Sequence, residues 1–245
     1  MSRHNPSEFS SGDEEMPGEY TSSMATSAAH DDQYSISTNG FIWSKDAALG
    51  QRVSTMREAN VPLGSIGGFK FFKQNVVDDS TIMEATRSYL RSELLCLGLS
   101  RTLGPVPGAY SFRRSNPHLP VESVMVHLLE KDTTIAIWDG SHQVGVPFFE
   151  GEIGLWQTLP HYLVGAGSQR LVETFKDGGY CIRDSRVFME VLDGHALAFA
   201  IGNQSALLKW KPLKLNGLLK PTIEAIRTPK FEINATYEEN QGKEC

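Results

Sequence analysis

His127, Asp139 and His142 form the obvious set of side chains able to bind a divalent metal in this chain. Imidazole nitrogens and carboxylate oxygens together suit ferrous iron and similar ions. Their spacing argues against a shared ion. The alternation over residues 124–138 predicts a hairpin turning near residue 131, so His127 faces residue 135 or its neighbour. Asp139 then lies roughly 13 Å further along the strand. His127 is therefore expected to be a core or cavity histidine, hydrogen-bonded through one ring nitrogen. For His142, in Gly140-Ser141-His142, two readings stay open. It ties the turn down together with Ser141, or it lines a cavity mouth and meets a polar ligand. Asp184 and Arg186 stand two apart and share a strand face, with Arg183 and Ser185 on the other. Such a pair could bind a carboxylate or amide, but the favoured reading is an internal ion pair.

Nucleophilic and phosphate-binding motifs are missing. Gly165-Ala166-Gly167-Ser168 is no nucleophile elbow, and Gly64-Ser65-Ile66-Gly67-Gly68 lacks the lysine of a P-loop. The formal charge of −6 resides in residues 1–40, which hold seven acids and one base. The remainder is neutral and offers no field to gather nucleic acid or an anionic membrane. Cys96, Cys181 and Cys245 are odd in number and have no metal-type spacing, which points to a reducing, intracellular and cytoplasmic setting. No apolar run approaches a membrane span, and residues 1–30 lack a secretory pattern.

The elements that must position these residues follow from periodicity. Residues 1–40 are polar and acidic and are expected to be disordered. Ser44 is a candidate cap for a helix over about 45–59, and Phe69-Lys70-Phe71-Phe72-Lys73-Gln74 reads as a strand by its aromatic content. Met83, Leu90, Leu94 and Leu97 recur at helical spacing, and Gly98 offers a left-handed stop. A helix over about 80–97 is expected. From Val121 onward strands dominate, and Asp193-Gly194 between Val187-Met189-Val191 and Leu197-Phe199-Ile201 predicts a second hairpin.

An opening strand, a capped helix, then many strands ending in a Gly-rich turn suggest a mainly β fold with flanking helices. Its form is a double-stranded β-helix, the cupin-like jelly roll. In patches over about 69–201 the chain resembles the phytanoyl-CoA dioxygenase-like branch of the iron/2-oxoglutarate oxygenases. Phe69 to Gly98 resembles the family's first unit, Trp138-Asp139-Gly140-Ser141-His142 its Pro-Gly-Ser-His turn, and Gly178 to Ile201 its last strands. The resemblance implies iron held by two histidines and a carboxylate. It places the His-x-Asp pair at His118-Leu119-Pro120, the second histidine at Met189, and the co-substrate arginine near His195. Proline has no ligand atom, a thioether suits ferrous iron poorly, and imidazole cannot clamp a carboxylate as arginine does.

Three domains are expected: an acidic tail over 1–40, a jelly roll over 41–230 and a tail over 231–245. The leading expectation is an oxygenase-like barrel that needs no cofactor and holds a small ligand through His127, His142, Asp184 and Arg186. The first alternative is an active dioxygenase using iron(II) and 2-oxoglutarate, with His118, His127, Asp139 and His142 as candidate ligands. The second is a structural or regulatory interaction protein. Neither nucleic acid nor membrane is an expected partner.

Overall fold

A computed structural model of the chain describes residues 34–116, 118–151 and 154–238. The acidic stretch predicted to be disordered lies outside the described residues as far as residue 33.

In chain order the elements are β1 (Phe41–Lys45), α1 (Ala47–Glu58), α2 (Ile66–Phe72), α3 (Ser80–Leu90), β2 (Leu95–Leu103), β3 (Ala109–Ser111) and β4 (Ser123–Leu129). Next come β5 (Thr133–Asp139), β6 (Phe149–Glu150), β7 (Trp156–Thr158), α4 (Pro160–Gly165), β8 (Gln169–Phe175), β9 (Gly179–Asp184), β10 (Met189–Asp193) and β11 (Ala196–Asn203). The chain continues through α5 (Gln204–Lys209), β12 (Leu213–Asn216), α6 (Lys220–Glu224), β13 (Phe231–Ile233) and β14 (Ala235–Glu238).

Two six-stranded sheets face each other, one ordered β1-β9-β4-β11-β2-β13 and the other β6-β7-β3-β10-β5-β8. This is the jelly roll with flanking helices. Alternation along β4 divides the apolar core. Val124, Val126 and Leu128 meet Leu49, Val53, Phe72, Ile82 and Met83 of the helical layer. Met125 and Leu129 face the second sheet among Tyr110, Ile135, Ile137 and Met189. A strand buried on both faces was the expectation for this segment, and all seven residues of β4 are buried.

Several local expectations fail for identifiable reasons. Phe69–Phe72 lies in α2 and Lys73–Val77 forms a π-helical turn, not a strand. Phe69 and Phe72 stand three apart and both point into the core, which is helical periodicity. Asp46 rather than Ser44 caps α1, accepting from the Leu49 N–H at 2.9 Å. Helix α3 ends at Leu90, with Arg91 left-handed at φ 47°. Leu97 belongs to β2 instead, opposite Ile201. Neither expected hairpin is a paired one. β4 pairs with β9 and β11, while β5 pairs with β10 and β8. The turn after each first strand carries the chain from one sheet to the other. His127 therefore faces Cys181 and Ala198, not residue 135.

Candidate functional site

The interior between the sheets is apolar apart from a few groups. Tyr110 on β3, His127 on β4 and Cys181 and Arg183 on β9 point into it. Arg183 has 0 % of its surface exposed. Its Nε donates to His127 Nε2 at 3.1 Å, and its Nη1 donates to the Val187 carbonyl. Arg183 Nη2 has no hydrogen-bond partner among the described residues. Because His127 Nε2 accepts, the ring proton sits on Nδ1, and that N–H is likewise unpartnered. Burial first, then the neighbouring guanidinium, pushes His127 well below the usual histidine range, so it is neutral at neutral pH. The Tyr110 hydroxyl approaches the Val191 N–H without a well-aligned hydrogen bond, and burial raises it. Burial pushes the Cys181 thiol up to about 12, which leaves it unreactive. Burial also lowers Arg183, yet a guanidinium stays charged in a protein. The barrel thus encloses a cation to which no carboxylate of the described residues is bonded, beside two more unsatisfied polar groups.

The next residue explains why no internal acid neutralises it. Asp184 turns to the opposite face of β9, where Arg186 clamps it at 3.0 Å (Nε to Oδ1) and 2.8 Å (Nη2 to Oδ2). The Tyr89 hydroxyl donates to the same carboxylate at 2.7 Å. Arg186 Nη1 also donates to the carbonyls of Asn116 and Leu119, at 3.0 and 3.2 Å. The pair is a closed clamp that pins the segment after β3 to the rim of the barrel. At the same rim, Ser141 Oγ accepts from the Phe188 N–H at 2.9 Å, so Ser141 ties the turn down. His142 lines a cleft of about 710 Å³ with Tyr89, Arg91, Gln143 and Arg186. Its Nδ1 is unpartnered, and burial lowers its pKa.

The metal candidates stay apart. His118 is exposed on the pinned segment, His127 is enclosed with Arg183, and Asp139 accepts from Asn39 Nδ2 at 3.0 Å. Met189 opens β10 opposite Tyr110 and Ile137. The neighbour of Met189 is thus a phenol, not His118 or Pro120. His195 sits at the other end of the barrel, where its carbonyl accepts from the Glu130 N–H at 3.1 Å. Among the described residues no three His, Cys, Asp or Glu side chains group as a metal site. These residues do not fit a centre of two histidines and a carboxylate.

Arg183 escaped the sequence reading because each face of β9 carries one charge. Gly179, Cys181 and Arg183 alternate with Tyr180, Ile182 and Asp184, and either set could face the barrel. No helix among the described residues is long and apolar enough to cross a membrane.

No family model matches the chain, and no curated relative matches it. Solved structures do. The epimerase SnoN in complex with Fe3+, alpha ketoglutarate and nogalamycin RO is 12% identical, over 69% of this chain and 80% of that one, at a TM-score of 0.49. HygX from Streptomyces hygroscopicus with iron bound is 11% identical, over 86% of this chain and 98% of that one, at 0.49. HygX with nickel and 2-oxoglutarate bound is 14% identical, over 69% and 84%, at 0.47. The two facing sheets and the flanking helices give this chain the mainly β jelly-roll fold class expected from its sequence. Those solved structures hold iron with alpha ketoglutarate, nickel with 2-oxoglutarate, or iron, and this runs against the expectation of a barrel that needs no cofactor.

Proposed function

We propose that the barrel of this oxygenase-fold protein binds a small carboxylate, with Arg183 as its counter-charge. The unpartnered His127 Nδ1–H and Tyr110 hydroxyl complete the donor set. The observation that carries this reading is the enclosed Arg183 guanidinium, which among the described residues has one nitrogen unpartnered and no carboxylate bonded to it. An uncompensated buried charge costs several kcal/mol, and a bound anion offsets that cost. Planar guanidinium matches a carboxylate in two-point geometry. The motif patches at residues 138–142 and 178–201 support a place near the phytanoyl-CoA dioxygenase-like branch. They make 2-oxoglutarate the first carboxylate to test. The buried thiols Cys96 and Cys181 support an intracellular setting.

The test is thermal melting and calorimetry of the full chain with 2-oxoglutarate, succinate and, as the uncharged control, dimethyl succinate. The dicarboxylates should raise the melting temperature, by an amount equivalent to about 2.7 kcal/mol at a hundredfold excess over Kd. The diester should not. Arg183→Met should abolish the rise while melting no lower than the wild type without ligand, because the substitution removes an uncompensated buried charge. A variant that melts far lower, together with a wild type indifferent to dicarboxylates, would make Arg183 a structural residue and end the proposal. Anaerobic addition of ferrous iron with 2-oxoglutarate separates the binding protein from the oxygenase, since a metal-bound 2-oxo acid gives a visible charge-transfer band.

A further inference from the structure

A second cleft, of about 330 Å³, opens on the rim between the segment after β3, β7 and α5. Arg113, Arg114, Trp156, Arg186, Glu122 and Lys209 contribute to its wall. Its charges divide into spent and unspent. Arg186 is committed to Asp184. Glu122 accepts from Lys209, and from Ser205 Oγ at 3.1 Å. Arg113 and Arg114 make no ion pair among the described residues. Each is held instead on a pair of aromatic rings. The Arg114 guanidinium lies 4.1 Å from the Trp156 ring centre and 5.3 Å from that of Phe148. The Arg113 guanidinium lies 5.5 Å from the Trp210 ring and 5.4 Å from that of Phe112. The rings of each pair meet edge to face, at 5.3 Å for Phe148 with Trp156 and 5.8 Å for Phe112 with Trp210.

Stacking on aromatic faces leaves the N–H edges of a guanidinium free and reduces the rotamer entropy lost when a ligand binds. Two such forks on one cleft form a pre-organised positive site in a chain of formal charge −6. A single carboxylate can satisfy one fork. Neutralising both takes a doubly charged head, and a tetrahedral phosphate presents enough oxygens for two forks at once. The volume falls at the small end of the range for metabolite pockets.

We propose that this rim cleft binds a small phosphate monoester, with Arg113 and Arg114 gripping the phosphate. The site is separate from the barrel interior and stands whether or not Arg183 binds a carboxylate. Calorimetric titration of the full chain with phenyl phosphate, inorganic phosphate and benzoate tests it. Phenyl phosphate should bind more tightly than benzoate, and its affinity should fall steeply with added salt, as interactions between exposed charges do. Arg114→Gln and Arg113→Gln should each weaken it about tenfold, the loss of one charge-assisted contact. Arg114→Lys should rescue it only in part, because lysine keeps the charge without the planar fork. Arg183→Met should leave phenyl phosphate binding unchanged, which separates the two sites. Equal affinity for benzoate, or unaltered phenyl phosphate binding in the Arg113→Gln/Arg114→Gln double variant, would overturn the proposal.

Discussion

Neutral His127 makes the interior chemistry sensitive to acid. In the folded state, burial and Arg183 hold its pKa well below the ordinary value, whereas in the unfolded chain it titrates near 6.5. Below that value the unfolded chain binds a proton that the native state refuses, so stability falls as pH falls. Above it neither state is protonated at this site, and the contribution flattens. Denaturant unfolding between about pH 5 and pH 7.5 should show this slope, at most about 1.4 kcal/mol per pH unit for one fully differential proton. His127→Gln should reduce the slope, and the slope that persists should include the smaller contribution of His142, also held low by burial. An unchanged slope would mean that His127 is protonated inside the barrel. The enclosed histidine was legible from the sequence, since a lone imidazole in an apolar strand has little else to do. Its partner was not, because alternation alone cannot say which face of β9 turns inward.

At the scale of elements, the misread segment between α3 and β2 is the instructive one. Leucines at 90, 94 and 97 mimic a helical stripe, yet the chain leaves the helix at Arg91 and enters sheet pairing at Leu95. Gly98, which looks like a helix stop, has a different purpose. A Cβ there would lie 2.0 Å from the Trp210 ring, so glycine leaves room for that indole against β2. No local pattern announces a contact between residues 112 positions apart. Gly98→Ala should therefore displace Trp210 and destabilise the fold by about 1–3 kcal/mol, the usual cost of overpacking. Because Arg113 rests on Trp210, the variant should also blue- or red-shift the tryptophan emission and weaken phenyl phosphate binding. A melting temperature and emission spectrum matching the wild type would show that the indole is free to move aside.

The described residues are held by two large apolar layers, one between the sheets and one between the first sheet and the helices, with a smaller cluster around Trp138, Leu163 and Phe188. Its architecture was legible because the order of signals, a capped helix and then many short strands with Asp-Gly corners, admits few folds. Pairing was less legible, since a tight turn between alternating strands reads as a hairpin whether it joins neighbours in one sheet or crosses to the other. The far end of the chain is a similar case. Phe231-Glu232-Ile233 is too short to stand out as a strand, but β13 extends the first sheet by pairing in parallel with Leu95–Leu97. Phe231 is fully buried, with its ring 5.8 Å from that of Phe72, which in turn lies 4.8 Å from Phe199. Phe231 thus anchors the last strand of the sheet to the ring of Phe72 in α2, which carries the contact on to Phe199 of the central strand β11. Truncating it opens a cavity where helix and sheet meet, and neither layer can close that cavity alone. Phe231→Ala should cost about 3–5 kcal/mol in denaturant unfolding, while Leu208→Ala, at a side chain left 82% exposed, should change stability by less than about 0.5 kcal/mol. If the two variants unfold alike, β13 is a surface attachment and the helical layer is closed without it.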